Sequence, residues 1–251
     1  RELSMTPDIS YAVRCLLEAR RSGVQVTPPF AMPDRAAVYA IQDGVAVATG
    51  PVAGWKVGAR TPTAAPNPAP LRAGAVVTSP AKFDGQAMHM IGVEIEISFH
   101  VARDIAARTE PVGRGEALAA VGDAFVGMEV VDTRLADFKQ VDPEWLLADN
   151  QMNHALVVGE PIKNWKSLDW ANLQARLWID GKVEVDRKGG LGAVDPVPPL
   201  AWMIDHAVRE RGGIRRGQAI TTGSWTGLLY FPPGTRARGE FAGLGSVEAS
   251  F

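Results

Sequence analysis

Apolar residues recur with a helical period at the start of the chain and alternate with polar residues further on. The first pattern predicts two amphipathic helices, over residues about 9–21 and about 34–45, and Pro33-Asp34 is a capping signal for the second. From Gly54 onward the pattern changes to short β-branched runs that are broken by glycine and proline, which is typical of strands. The sequence therefore predicts a helical part followed by a β-rich part.

The β-rich part contains one strong local signal, Asp180-Gly181, between two alternating runs over residues 173–186. An Asp-Gly pair in this position predicts a hairpin with a two-residue turn. The proline- and alanine-rich stretch 61–70 is predicted to be a loop. Other strands are predicted at 92–99, 125–132, 156–158, 218–222, 235–241 and 246–251, and helices at 115–121, 143–150 and 200–210. Because helices and strands do not alternate regularly, the predicted class is α+β and β-rich.

Two glutamates, Glu94 and Glu96, interrupt the apolar run GVEIEISF at residues 92–99. In a strand they project to one side while the intervening apolar residues project to the other. Two carboxylates about 6–7 Å apart repel each other unless the face is wet, one is protonated, or a cation lies between them. A solvated sheet face alone would explain the alternation, and that alternative stays open.

A third carboxylate, Glu129, interrupts the apolar run at residues 125–132, which also predicts a strand. Three carboxylates from two strands would form an oxygen ligand set with positions left for water or substrate. Such a set suits Mg²⁺ or Mn²⁺ better than zinc.

The 251 residues, with 46% hydrophobic content, are enough for one sizeable core. We expect one structural domain, with residues 1–50 as a helical part packed on a core of residues 51–251. A net charge of −2 without a basic stripe argues against a nucleic-acid partner and for a small molecule. No apolar stretch approaches the roughly 20 residues of a membrane helix, and no signal peptide is recognisable, so we expect a cytoplasmic protein. The single cysteine, Cys15, excludes an internal disulfide.

Five segments occur in an order typical of one enzyme group. They are Gly54-Trp55-Lys56-Val57-Gly58, Glu94-x-Glu96, Met128-Glu129-Val130-Val131-Asp132, Leu147-Ala148-Asp149-Asn150-Gln151, and Thr222-Gly223-Ser224-Trp225-Thr226-Gly227 with the later Gly243-Leu244-Gly245-Ser246-Val247. Together they resemble the 2-keto-4-pentenoate hydratase branch of the fumarylacetoacetate hydrolase superfamily, which also contains 4-oxalocrotonate decarboxylases. The likeness extends from about Trp55 to Phe251.

The resemblance implies a mixed β-roll or barrel-like core with the N-terminal helices attached, and a homo-oligomer. It implies that Glu94, Glu96 and Glu129 hold Mg²⁺ or Mn²⁺ and that Lys56 reaches the substrate as a catalytic residue. The implied activity is a metal-dependent hydratase, a lyase of aromatic-compound catabolism, which adds water to a 2-hydroxy-2,4-dienoate to give a 4-hydroxy-2-oxo acid. Without the resemblance, Lys56 could equally be a surface lysine.

Substrate-binding residues are predicted in two glycine- or amide-containing segments. Gly223, Ser224 and Thr226 would bind a carboxylate through backbone amides and hydroxyls, although a simple glycine-rich turn is an equal alternative. Asn150 and Gln151 would contact the substrate from the Asp-Asn segment.

Departures from the family pattern keep other activities open. Residues 71–80 offer no aspartate where family members often carry one. A 4-oxalocrotonate-type decarboxylase would need a cation for a second carboxylate, and Arg60, Arg72 and Lys139 are the candidates. A carbon–carbon hydrolase of the same superfamily is a further alternative. A member that binds a keto acid without catalysis is the alternative of another class.

Overall fold

The structure, a computed structural model, describes residues 8–59, 64–190 and 195–251. Its α-helices are α1 (Ile9–Ser22), α2 (Arg35–Thr49), α3 (Arg114–Ala119), α4 (Pro143–Ala148) and α5 (Val197–Glu210). Its strands are β1 (Gly54–Gly58), β2 (Asn67–Leu71), β3 (Val76–Thr78), β4 (Ala81–Lys82), β5 (Ile91–Val101), β6 (Ile105–Ala106), β7 (Val121–Val131), β8 (Asn153–Ile162), β9 (Gln174–Ile179), β10 (Lys182–Lys188), β11 (Gly213–Ile214), β12 (Ala219–Ser224), β13 (Leu229–Phe231), β14 (Arg236–Phe241) and β15 (Gly245–Ser250).

The two predicted N-terminal helices are confirmed, and their ends follow from capping. The side chain of Asp8 accepts a hydrogen bond from the Tyr11 amide, and that of Asp34 accepts one from the Ala37 amide. Gly23 ends α1 in a left-handed conformation with φ 69°, which glycine adopts without strain. Helices α1, α2 and α4 share a hydrophobic cluster around Leu16, Ile41 and Trp145. Among the described residues no helix is long and apolar enough to span a membrane.

The largest sheet has eight strands in the order β2-β1-β12-β5-β7-β8-β3, with β13 also paired to β5. Strands β2 and β3 form its two edges, yet only residues 72–75 join them along the chain. The Leu156 amide also donates a hydrogen bond to the Ala75 carbonyl, at 2.7 Å. Because so short a connection must link the two edges, the sheet has to curl. The predicted β-rich α+β class is confirmed, with a curled half-barrel sheet and few helices.

The side chains of strand β5 alternate between the two faces of this sheet. Glu94 and Glu96 project from one, which we call the glutamate face, and Ile95 and Ile97 project from the other, which we call the core face. On the core face Gly239 of β14 lies so close to Ile95 that a Cβ there would collide with it. The main hydrophobic core therefore lies between the large sheet and a five-stranded sheet of order β10-β9-β14-β15-β4.

The predicted loop over residues 61–70 is wrong in part, because β2 begins at Asn67 and pairs with all five residues of β1. Pro68 and Pro70 obscured this strand. Proline lacks an amide hydrogen, but β2 is an edge strand, where the missing donor costs no ladder hydrogen bond. Residues 61–63 of the predicted loop lie outside the described ranges.

The remaining element predictions hold with shifted ends. Asp180 and Gly181 adopt φ 50° and 80°, as a two-residue hairpin turn between β9 and β10 requires. Strand β8 is much longer than the predicted 156–158, because its pairing with β7 extends from Asn153 to Ile162. Helix α3 ends at Ala119, two residues before the predicted end, since Val121 already belongs to β7.

Candidate metal centre

Glu94 and Glu129 face each other across the paired strands β5 and β7, and Glu96 follows Glu94 on the same side. The three residues each offer a carboxylate oxygen, and these oxygens all lie within 4.8 Å of one another. Glu96 and Glu129 are only 2% and 1% exposed, so the alternative of a solvated sheet face is wrong. The structure thus brings the three predicted ligands together in a largely buried cluster, in which only Glu94 is partly exposed and which we call the glutamate triad.

Hydrogen bonds from β12 fix Glu96. Its Oε2 accepts a hydrogen bond from the Thr221 hydroxyl and another, at 3.0 Å, from the Gly223 amide. The Ser98 hydroxyl in turn donates to Thr221 Oγ1 at 2.8 Å. Gly127 lies opposite Glu96 on β7, and a Cβ at this position would collide with the Ser98 hydroxyl. A glycine is therefore needed to make room for this network.

Glu129 is held by two donors that reach one oxygen. Lys56 Nζ lies 2.5 Å from Glu129 Oε1, and Asn153 Nδ2 donates to the same oxygen at 3.0 Å. Lys56 also donates to the carbonyl oxygen of Gln151 at 3.2 Å. The Lys56 side chain is buried, with 10% exposure, which rules out the alternative of a surface lysine.

The electrostatics of the triad favour a bound cation. Burial, and then the charge of Glu129, raise the pKa of Glu94 to about 7. Burial, and then the charges of Glu129 and Glu94, raise the pKa of Glu96 to about 8. Three carboxylates share one ammonium, so a divalent ion would compensate the remaining charge. The donor set consists of carboxylate oxygens, which are the ligands that Mg²⁺ and Mn²⁺ prefer.

Apolar side chains cover the rest of the glutamate face. Residues paired across strands share a face, and Phe125 pairs with Ser98 while Leu156 pairs with Glu129. These side chains belong to a small cluster, separate from the main core, which we call the apolar floor. Its members are Leu71, Phe125, Leu156 and Ala219, with Val76 and Val158 packed against them. The four floor residues are at most 1% exposed, so they pack beneath the glutamate face, and a substrate at the triad would meet the carboxylates and one ammonium.

The predicted substrate-binding residues are only partly free to bind one. The Gly223 amide donates to Glu96, and the Ser224 hydroxyl accepts a hydrogen bond from the Gly227 amide at 2.8 Å. The Thr226 hydroxyl accepts from the Ile95 amide at 3.0 Å and donates to the Gly227 carbonyl at 3.3 Å. Because these groups already form hydrogen bonds within the protein, we interpret residues 223–226 as a turn that orients Glu96 and not as a carboxylate-binding site. Trp225, which lies between Ser224 and Thr226, packs on Phe241 in the main core.

The Asp-Asn segment lies beside Lys56. Gln151 bonds Lys56 through its carbonyl oxygen, while its side-chain amide donates to the Asn67 carbonyl at 2.8 Å. Asn150 is 1% exposed, and within the described ranges its Oδ1 is buried without a hydrogen-bond partner.

The three cations considered for a second carboxylate differ in position. Arg60 lies outside the described residues. The pKa of Arg72 is lowered by burial and by the nearby charge of Arg134, and Asp149 partly offsets this, so Arg72 belongs to another charge cluster. Lys139 Nζ lies 6.0 Å from the centre of the Phe138 ring.

The sequence analysis did not identify three residues whose hydrogen bonds orient Glu96 and Glu129. They are Ser98, Thr221 and Asn153. Their signal in the sequence is weak but present. Ser98 continues the alternation of Glu94 and Glu96 on β5, and Thr221 is a polar residue in a buried strand. Only the pairing of β12 with β5 shows that these positions meet.

Comparison with known proteins gives a consistent result. No family model matches the chain. A 4-oxalocrotonate decarboxylase from Pseudomonas sp. is 31% identical over 160 residues, which are 63% of this chain and 59% of that protein. The matches span between 52% and 59% of the curated relatives' lengths.

Solved structures share the fold. The 4-oxalocrotonate decarboxylase from Pseudomonas putida G7, complexed with magnesium and adipate, aligns with a TM-score of 0.81 and 21% identity over 98% of this chain and 99% of that chain. A fumarylpyruvate hydrolase from Pseudomonas aeruginosa, complexed with Mn²⁺ and pyruvate, aligns with a TM-score of 0.56 and 16% identity over 78% of this chain and 87% of that chain.

The prediction of a Mg²⁺ or Mn²⁺ cofactor is confirmed by two findings. The carboxylate cluster has a geometry that could hold a metal ion, and the two solved structures contain magnesium and Mn²⁺. The comparisons do not single out a hydratase. They do confirm that the chain resembles the 2-keto-4-pentenoate hydratase and 4-oxalocrotonate decarboxylase branch of the fumarylacetoacetate hydrolase superfamily.

Proposed function

We propose that this protein is a metal-dependent lyase of aromatic-compound catabolism that removes CO₂ from a 2-oxo-enedioate of the 4-oxalocrotonate type. The observation that carries the proposal is the buried glutamate triad, with Lys56 beside it and an apolar floor on the same face. The similarity to 4-oxalocrotonate decarboxylases supports it.

Glu94, Glu96 and Glu129 would hold Mg²⁺ or Mn²⁺, since their carboxylates fit such an ion. A bound ion of this kind acts as a Lewis acid that stabilises negative charge on the substrate's 2-oxygen. Thr221 and the Gly223 amide keep Glu96 oriented, and Asn153 and Lys56 keep Glu129 oriented.

During decarboxylation the bond to the distal carboxyl group breaks and CO₂ leaves. The electron pair moves through the conjugated carbons to the 2-oxygen. The Lys56 ammonium, fixed by Glu129 and the Gln151 carbonyl, donates a proton there, which gives a 2-hydroxydienoate. The buried apolar floor around Phe125 and Leu156 makes the surroundings of the triad less polar, which favours conversion of a charged carboxylate into neutral CO₂.

Hydration of a 2-hydroxy-2,4-dienoate is the second candidate, and one observation favours it. Among the described residues, Lys56 is the only basic side chain that forms a salt bridge with the triad. Arg72 interacts with Arg134 and Asp149 instead. A substrate with a single carboxylate would not need a second cation at this face.

The two candidates can be separated by product analysis with NMR. The protein is mixed with 2-hydroxymuconate that has been allowed to convert to its 2-oxo form, or with freshly generated 2-hydroxypenta-2,4-dienoate, each with Mg²⁺ and with chelator. Metal-dependent loss of CO₂ from the first compound supports the decarboxylase. Metal-dependent 4-hydroxy-2-oxopentanoate from the second supports the hydratase. If neither compound changes, the proposal of catalysis on these substrates is wrong, and binding without catalysis becomes the better account.

A further inference from the structure

Three consecutive residues beside the candidate site have left-handed backbone conformations. Asn150, Gln151 and Met152 have φ values of 54°, 51° and 59°. This conformation is uncommon for residues other than glycine, although asparagine tolerates it better than most. A run of three persists only when the surrounding structure determines it.

The left-handed conformation brings two groups of Gln151 to the strands around Lys56. Its carbonyl oxygen accepts a hydrogen bond from Lys56 Nζ at 3.2 Å. Its side-chain amide donates to the carbonyl oxygen of Asn67, the first residue of β2. Asn67 pairs with Gly58 at the end of β1, the strand that carries Lys56. Gln151 therefore contacts Lys56 directly and also contacts the neighbouring strand.

A buried ion-pair cluster fixes the start of this run. Asp149 is fully buried and its Oδ1 accepts from Arg134 Nε at 2.7 Å and from Arg20 Nη2 at 3.0 Å. Its Oδ2 accepts from the Arg134 amide at 3.0 Å. Arg20 belongs to α1 and Arg134 follows β7, so two separate elements hold Asp149 in place.

We infer that residues 149–152 form a positioning segment for Lys56, with Gln151 as the residue that acts on it. The inference rests on the role of Lys56 in the proposed function. An ammonium has three donors. Two of them are directed at fixed acceptors, Glu129 Oε1 and the Gln151 carbonyl, from different elements. This leaves the third donor for the reacting group of the substrate, in a defined direction.

The test compares Gln151→Val with Gln151→Asn in the full-length protein. Both variants lose the amide contact to Asn67, but valine is β-branched and opposes the left-handed conformation, whereas asparagine tolerates it. We expect kcat on 2-hydroxymuconate, or on 2-hydroxypenta-2,4-dienoate if that is the substrate, to be at least about tenfold lower for valine than for asparagine. The two variants should have KM values within about twofold of each other, and likewise Kd values for Mg²⁺, because the triad is unchanged in both.

The control is Asn164→Val. Asn164 also has a left-handed backbone, with φ 54°, but follows β8 at the end opposite Asn153. The Asn164→Val variant should lower the melting temperature by about as much as Gln151→Val does, and it should leave kcat unchanged. If Gln151→Val does not fold, Gln151→Ala should show a smaller decrease of kcat, about threefold, again without a change of KM.

Equal kcat values for the valine and asparagine variants would overturn the inference, and so would a change confined to KM. Lys56→Met separates this failure from failure of the proposed function. If Lys56→Met abolishes turnover while the Gln151 variants remain as active as the unmodified protein, Lys56 is catalytic and needs no positioning by this segment. If Lys56→Met remains active, the proposed role of Lys56 is itself wrong.

Discussion

Two buried charge clusters lie close together in this molecule, and they differ in how their charges are balanced. In the glutamate triad three carboxylates share a single ammonium, that of Lys56. Around Asp149 the proportions are reversed, since Arg20 and Arg134 both bond one carboxylate. The triad therefore has an excess of negative charge, whereas the carboxylate of the second cluster has two positively charged partners.

The pKa values reflect this difference. Burial raises the pKa of Glu94 and Glu96, and their neighbouring carboxylates raise it further. Burial lowers the pKa of Arg20, Arg134 lowers it further, and Asp149 opposes both effects. Buried carboxylates that lack counter-charge need a cation to supply it, whereas the Asp149 carboxylate already has two guanidinium partners within the protein and needs no ligand. The comparison therefore supports the proposed metal binding at the triad and favours a structural role for the Asp149 cluster.

The largest effect on activity is expected from Glu96→Gln. Loss of a direct ligand should lower the affinity for Mg²⁺ by more than the about 10–100-fold that is typical of outer-shell changes, and metal-dependent turnover should disappear. The metal-free protein should fold normally, because one of three mutually repelling carboxylates is removed. Calorimetric titration with Mg²⁺ and a melting curve measure the two quantities. Glu184→Gln, at an exposed position on β10, is the control, and unchanged turnover in Glu96→Gln would contradict the assignment.

Asp149→Asn should have the largest effect on stability. It leaves two guanidinium groups without their carboxylate, and the loss of one partner from a buried ion pair costs about 3–5 kcal/mol. Urea unfolding gives the free energy directly. Asp186→Asn is the matched control, since Asp186 pairs with Arg176 at 3.2 Å and both side chains are 36–44% exposed, so the expected loss is about 0–1 kcal/mol. Similar losses in both variants would show that the Asp149 cluster is not the stabilising one.

The pH dependence of stability should distinguish the metal-free from the metal-bound triad. The raised pKa values mean that folded Glu94 and Glu96 keep protons that the unfolded chain has lost, so stability decreases as pH rises through about 7 and 8. His154 and His206, with pKa values lowered to about 4, have the opposite effect, but only below their ordinary value of 6.5. Between pH 6.5 and 8 the metal-free protein should therefore lose on the order of 2 kcal/mol.

Saturating Mg²⁺ should abolish this decrease, because the ion favours the ionised carboxylates in the folded state. Urea unfolding at both ends of the pH range, with Mg²⁺ and with chelator, tests the expectation. A decrease of the same size in both conditions would mean that the ion does not bind at the triad.

The smallest effect is expected from Thr221→Val. It removes the hydroxyl that donates to Glu96, and a buried hydrogen bond of this kind contributes about 1 kcal/mol or somewhat more. The affinity for Mg²⁺ should fall by about tenfold. Its neighbour Thr222 donates to the Ile97 carbonyl instead, so Thr222→Val should cost similar stability without a change in Mg²⁺ affinity. Equal Mg²⁺ affinities in the two variants would show that Thr221 does not orient Glu96.

Local signals in the sequence were sufficient for much of the fold and for the triad itself. The alternation around Glu94 and Glu96 and the interrupted apolar run at Glu129 identified three carboxylates that the structure brings together. What could not be predicted depends on pairing between distant strands. The hydrogen bonds of Thr221 to Glu96 and of Asn153 to Glu129 need the register of β12, β5, β7 and β8.

Backbone conformation and edge position caused the other differences. Pro68 and Pro70 prevented the prediction of β2 from the sequence. Because β2 is an edge strand, their missing amide hydrogens cost no hydrogen bond in the sheet. Nothing in the composition of Asn150-Gln151-Met152 indicates three left-handed residues, because neighbouring elements impose that conformation. For the same reason Gln151 was expected to bind substrate, whereas the structure bonds it to Lys56 and Asn67.

The most direct test of the central claim is a crystal of the full-length protein soaked in Mn²⁺ and measured for anomalous scattering. The account predicts a strong anomalous peak within bonding distance of carboxylate oxygens from Glu94, Glu96 and Glu129, and its disappearance in Glu96→Gln. A peak at another position, or none in crystals of a protein whose turnover requires the metal, would contradict it.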